Sequence, residues 1–264
     1  MRHYGGVEAL LQVCTVTDPA LVTHEGTSSG SLLGGRVRYA QPREGFRSGI
    51  EPVLLAAAVP ARPGESVLEG GSGAGAALLC LAARVPGVRG LGVELDSNLT
   101  ALAQANATAS NVDGVSFVAA NLLTLSRPGM FDHAMANPPY HAATGTASSR
   151  PARELAKRSQ ASLLRDWAVA LVAPLRHRGT LTLVLPAASL PEALEAMHTA
   201  GCRPTAVLPL WPAAGRRAKL ILLHGVKGGR APLQLLPGLV LHASTGGFTP
   251  ETEAVLRNAA AIQL

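Results

Sequence analysis

The chain is poor in cysteine, in continuous apolar runs and, through much of its second half, in carboxylates. Only Cys14, Cys80 and Cys202 occur among 264 residues, an odd number with no C-x-x-C pair, and two of the three sit in apolar runs that read as core. This argues against a disulfide framework and a structural zinc site, so no metal is expected and the setting expected is reducing and cytoplasmic. The opening MRHYGG has no apolar h-region of signal-peptide type, and no run approaches the length of a membrane span, so no membrane partner is expected. Internal repeats are absent, and alanine richness is the only compositional bias.

The formal charge of +6 is unevenly placed. Residues 141–230 hold 13 Lys/Arg against 4 Asp/Glu, whereas residues 1–140 hold 9 against 11. Most of these cations are arginines, among them Arg216 and Arg217, which pair with phosphate bidentately and stack on bases. The cluster Arg150, Arg153, Lys157 and Arg158 is the candidate nucleic-acid contact, although a charge run also suits a solvated face.

Length suits one large α/β domain or a domain with an appendage. Residues 1–30 read as an accessory segment, partly mobile, with a short helix near Val7 to Val13, and residues 31–264 as the domain proper. From about residue 48, helical and strand patterns alternate. SGIEPVLLAAAV reads as a helix, SVLEG as a strand, AALLCLAARV as a helix and GLGVEL as a strand. LTALAQANATA, capped by Asp96 or Ser97, is the next helix, and VSFVA and FDHAMA are strands. After these come the helix QASLLRDWAVALVAPL, the strand GTLTLVL, the helix LPEALEAMHTAG and the strands TAVLPL and AKLILLHG. Such alternation predicts a mainly parallel sheet with helices on both faces.

Two loops carry the chemistry. In VLEGGSGAGAA, Glu69 ends a strand and the segment Gly71, Ser72, Gly73 and Gly75 precedes a helix, so the backbone can approach a ligand at the positive end of that helix. Glu94 lies 25 residues further on at the end of the next strand, where a carboxylate can accept from both hydroxyls of a ribose. Asn121 follows the third strand and could accept from an adenine amino group, although such an Asn is more often a turn former. Gly71-x-Gly73-x-x-Ala76 also fits a nicotinamide-dinucleotide fingerprint, so a dehydrogenase remains an alternative.

The second loop is Asn137-Pro138-Pro139-Tyr140, directly after FDHAMA. The prolines end the strand and stiffen the turn. If the strand order is 3-2-1-4-5, this loop and the glycine loop face one cavity from neighbouring strands. An exocyclic adenine amine is a poor nucleophile. Asn137 Oδ1 and a carbonyl of the Pro-Pro turn can accept its two hydrogens and turn its lone pair toward a methyl donor. Tyr140 offers a face on which an extruded base can stack.

On these residues the chain resembles the class I S-adenosylmethionine-dependent methyltransferases and, within them, the tRNA(Val) adenosine N6-methyltransferase family. The resemblance covers about residues 27–258 and includes LLGGRVRYAQPREGFRSGIEPVLLAAAV and LVLHASTGGFTPETEAVL. It implies a Rossmann-like seven-stranded sheet of order 3-2-1-4-5-7-6 with the last strand antiparallel. It further implies S-adenosylmethionine as co-substrate, tRNA as partner, and Gln41, Phe46 and Arg47 near the cofactor. The chain departs from the family pattern at Glu69, where Asp is usual, and at Asn121, which replaces an acid. The expected reaction is methyl transfer to adenine N6 in RNA. The alternatives are glutamine N5 methylation of a protein, guanine N2 methylation of rRNA, a dehydrogenase, or an inactive nucleic-acid-binding protein.

Overall fold

The computed structural model describes residues 26–44, 48–125, 129–139 and 150–264, with side chains of the helix that begins at Arg150 described from residue 161. The helix expected near Val7 to Val13 therefore lies outside the described residues. Element order is β1 (Thr27–Leu32), β2 (Val37–Pro42), α1 (Glu51–Ala58), β3 (Ser66–Gly70), α2 (Ala76–Arg84), β4 (Arg89–Glu94), α3 (Ser97–Ala109) and β5 (Val115–Ala119). It continues through β6 (Phe131–Ala136), α4 (Arg150–Val172), β7 (Leu175–Pro186), α5 (Leu190–Thr199), β8 (Cys202–Ala213), β9 (Leu220–Lys227), β10 (Gln234–Leu235), β11 (Leu239–His242) and α6 (Pro250–Asn258).

The sheet runs β5-β4-β3-β6-β7-β9-β8, the expected order, with β9 antiparallel to both β7 and β8. Two short strands add to the seven. β10 and β11 pair in parallel with the outer edge of β8. The sequence gives little sign of them because prolines interrupt PLQLLPGLVL, and their pairing depends on an edge formed elsewhere in the chain.

β3 shows why the sheet is buried on both sides. Adjacent side chains of a strand point to opposite faces. Val67 enters one apolar layer, under α1, α2 and α6, and Leu68 enters the other, under α4 and α5. Both are fully buried. α2 is apolar on nearly all sides because it is wedged between the sheet and α1. α3 starts where Asp96 Oδ1 accepts the N–H groups of Asn98 and Leu99, which satisfies two of the free amides at the helix start.

At the end of the sheet where the parallel strands begin, Asp132 accepts from Ser66 N–H and Oγ–H, both at 2.8 Å, and from Arg176 at 2.6 Å. Partial burial pushes this carboxyl up, but the Ser66 bonds and the arginine outweigh it and hold the group below its usual range. Lys227 Nζ donates to the carbonyls of Val172, Ala173 and Leu175 and so caps α4 from the end of β9.

The segment before the main sheet is a β1–β2 hairpin. β1 crosses position 30, where the accessory segment was expected to end. α3 holds this hairpin in place. Asn106 Oδ1 accepts Ala40 N–H at 2.9 Å, and its Nδ2 donates to Ala40 O at 2.9 Å and to Ala74 O at 3.0 Å. One turn later, Ser110 Oγ accepts Arg38 N–H and donates to Arg38 O. Four helical residues rise about 6 Å and two strand residues about 6.8 Å, so Asn106 on α3 and Ser110, the residue that caps its end, match the i, i+2 pair on β2.

Candidate active site

The carboxyl ends of β3 and β6 open into one cleft, between strands whose connections lead to opposite sides of the sheet, and the end of β4 lies beside the glycine loop. The cleft is lined by Glu69, Gly71 to Ala74, Asn137 and, from the hairpin side, Tyr39 and Gln41. The glycine loop and the Asn-Pro-Pro turn thus face each other, as their neighbouring strands require.

The glycine loop is shaped from below and left open above. Gly71 and Ser72 both donate to Val93 O, and Gly75 donates to Ser72 O, which closes a tight turn before α2. Gly75 takes φ 88°, and a Cβ there would stand 2.8 Å from the Phe117 ring, so this glycine is a packing requirement. Gly73 also has positive φ, but no atom lies within 4 Å of where its Cβ would be. That open side gives a ligand close access to the backbone.

Both acids sit against this loop. Glu94 Oε2 accepts Gly73 N–H at 2.8 Å, while Oε1 accepts Leu95 N–H at 2.7 Å and Asp96 N–H at 3.0 Å. Both lone pairs of Oε1 are thus engaged, while Oε2 keeps one for a hydroxyl. Glu69 is 4% exposed, and its Oε2 accepts Leu78 N–H in the first turn of α2 at 3.1 Å. Burial pushes its carboxyl well above the usual range, against the lowering effect of that hydrogen bond, and the Glu94 charge raises it further.

The remaining sequence candidates divide clearly. Gln41 is buried at the cleft wall, its Oε1 accepting Ser48 N–H at 3.0 Å. Pro138 is buried and Pro139 exposed. Asn121 Oδ1 accepts Leu123 N–H at 3.0 Å and so caps the short turn after β5, the turn-former role weighed against adenine contact. Phe46, Arg47 and Tyr140 lie outside the described residues. Arg150, Arg153, Lys157 and Arg158 fall in the first half of α4, whose side chains there are not described.

Residue-level reasoning did not find Tyr39 and Ser48, which share a 3.0 Å hydrogen bond at the cleft wall. Burial pushes the Tyr39 phenol well above its usual range, the Ser48 bond notwithstanding, so it stays protonated and can donate. The signal available was the family-like segment that contains both residues.

Residues 51–186 match the methyltransferase small domain. The chain belongs to the methyltransferase small-domain family. Like other members it is an S-adenosylmethionine-dependent methyltransferase. A tRNA1(Val) (adenine(37)-N6)-methyltransferase from Aeromonas hydrophila is 31% identical to it over 206 residues, which cover 77% of this chain and 86% of that protein. In fold it is similar to a predicted O-methyltransferase from Agrobacterium tumefaciens, with TM-score 0.66, 22% identity, and coverage of 81% of this chain and 99% of that one. Geranyl diphosphate methyltransferase in complex with GPP and sinefungin shares the fold at TM-score 0.51 and 16% identity, over 68% of this chain and 77% of its own.

The cleft of this methyltransferase small domain fits the co-substrate. The backbone at Gly73 is open to close approach, the free lone pair of Glu94 Oε2 suits a ribose hydroxyl, and Ser72 Oγ is buried with no hydrogen-bond partner among the described residues. Among the described residues no group of His, Cys, Asp or Glu is arranged to hold a metal ion, and no helix is long and apolar enough to cross a membrane.

Proposed function

We propose that the enzyme methylates the exocyclic N6 of an adenine in RNA, in a tRNA at the adenosine beside the anticodon. The observation that carries this reading is that Asn137 lines the same cleft as Gly73 and Glu69 of the glycine-loop side. The 31% identity to the adenine-N6 enzyme of Aeromonas hydrophila supports the choice of nucleobase.

When bound, S-adenosylmethionine supplies an electrophilic methyl group on a sulfonium. The chain's own residues do the positioning. Glu94 Oε2 accepts from a ribose hydroxyl, and the backbone at Gly73 allows close approach. Asn137 Oδ1 and a carbonyl of the Pro138-Pro139 turn accept the two amine hydrogens, so the nitrogen lone pair is aimed along one line. Tyr140, next in sequence, offers an aromatic face for the extruded base, a contact worth about 1 to 3 kcal/mol. Arg150, Arg153, Lys157 and Arg158 on α4 meet phosphates of the same RNA.

Nucleoside mass spectrometry of tRNA incubated with the protein and S-adenosylmethionine tests this, alongside tRNA from a deletion strain. N6-methyladenosine should form in the first and be missing from the second. Asn137→Ala should lose most turnover while keeping cofactor affinity, because its bonds are made to the acceptor. Methylated glutamine in a release factor with unmodified tRNA, or full turnover by Asn137→Ala, would overturn the reading.

A further inference from the structure

We infer that the tip of the β8–β9 hairpin, residues 214–219, is a second phosphate-binding point, which uses Arg216, Arg217 and Lys219 to hold the RNA whose adenine enters the cleft. The inference rests on the RNA reading of that cleft.

Topology comes first. β8 runs parallel to β7 because both are antiparallel to β9, so β8 ends and β9 begins at the end of the sheet where β3 and β6 deliver the cleft residues. Asn137 follows β6, and β9 is two strands away, about 10 Å at the usual spacing. That separation lies within reach of nucleotides flanking a base seated at Asn137.

Charge comes second. No Asp or Glu occurs between Glu195 and Glu251, so the outer strands β8 to β11 carry cations without a carboxylate of their own. Several cations elsewhere have work within the fold. Arg165, Arg176 and Arg257 pair with carboxylates, and Lys227 caps α4. Arg216, Arg217 and Lys219 are exposed, and their side chains have no hydrogen-bond or ion-pair partner among the described residues.

Rigidity comes third. Arg216 N–H donates to Ala213 O at 3.1 Å and closes the turn at Gly215, and Ala187 N–H donates to Lys219 O at 2.9 Å, which ties the hairpin to the end of β7. Three cations on a fixed stalk lose little backbone freedom when they meet an anion. Two planar guanidinium groups side by side suit phosphate oxygens better than a diffuse field would.

The opposite end of the sheet supplies the control. Arg178, near the start of β7, and Arg230, just after β9, are also exposed and lie away from the cleft. Arg216→Glu/Arg217→Glu and Arg178→Glu/Arg230→Glu change net charge equally. Binding of a tRNA transcript would be measured across a salt series for the wild type and both variants, with binding of the demethylated cofactor as a check that the cleft is intact. The hairpin variant should bind about tenfold or more weaker, with a salt slope shallower by about 1.5 to 2, and show a raised KM for tRNA with kcat kept. The control should stay close to wild type. Equal losses in both variants, or none in either, would overturn the inference. A wild type that binds tRNA but transfers no methyl to it would count against the adenine reading alone, and the two binding series would still decide the hairpin.

Discussion

Replacing Asn106 should unfasten the hairpin from the cofactor loop. Its side chain is 3% exposed and serves three backbone groups, Ala40 N–H, Ala40 O and Ala74 O, at 2.9 to 3.0 Å. At a net value of about 1 kcal/mol per bond, Asn106→Ala removes about 3 kcal/mol, and more if the freed groups stay away from water. Against a typical domain stability of about 5 to 15 kcal/mol the variant should still fold. Asn106→Asp separates the bonds by type. Aspartate can still accept from Ala40 N–H, but it sets a carboxylate oxygen against two carbonyls, so it should destabilise more than alanine although it differs from asparagine by one group. Urea unfolding gives both stabilities, and calorimetry with the demethylated cofactor should show weaker binding, because β2 carries Tyr39 and Gln41 to the cleft wall. A cost below about 1 kcal/mol for Asn106→Ala, or an aspartate variant more stable than the alanine one, would refute the three-bond reasoning.

Glu94→Ala should weaken binding of S-adenosylmethionine by about 1.5 to 3 kcal/mol, the range for hydrogen bonds to a charged group, as read by calorimetry; unchanged affinity, or preferential binding of NADH, would remove the ribose role. His224 is buried with its Nδ1 3.0 Å from Thr182 Oγ1, and burial, with a smaller contribution from the His133 charge, lowers its pKa from 6.5 to about 4. The unfolded chain therefore takes up this proton first as pH falls. Stability should be lost from pH 6.5 down through 4, by roughly 3 kcal/mol in all. Glu69, shifted upward, contributes with the opposite sign, since its stability is lost as pH rises. Comparing wild type with His224→Asn cancels that contribution, and parallel stability curves between pH 4 and 6.5 would show that His224 does not carry the dependence.

The parts of the site that could be read from the sequence are those where chemistry is local. Gly71, Gly73 and Gly75 announce themselves because a left-handed turn before a helix needs them, and Asn137-Pro138-Pro139 because two prolines must end a strand. The third face of the cleft was not legible in this way. Tyr39 and Gln41 reach it only because Asn106 and Ser110 hold β2 against α3, and in QANATAS those two residues read as ordinary polar positions of a helix. Asn121 Oδ1 accepts from the turn that it begins, as a turn former would. α4 starts at Arg150, earlier than the apolar period suggests, because RPARELAKRSQ has no such period to read.

β7 has a consequence for any attempt to trim the protein to its matched portion. Residues 51–186 end with this strand, twelve residues long and hydrogen-bonded on one side to β6 and on the other to β9. A fragment cut there would retain the glycine loop and Asn137. It would also present a long unpaired edge where β9 had been, and Leu181, Leu183 and Leu185 would lose the apolar neighbours that α5, β8 and β9 supply. An unpaired edge of that kind templates further strands, so the fragment should self-associate or precipitate. The antiparallel turn back through β9 is therefore as much a guard on solubility as a part of the architecture, and a stable minimal enzyme must extend at least to Lys227.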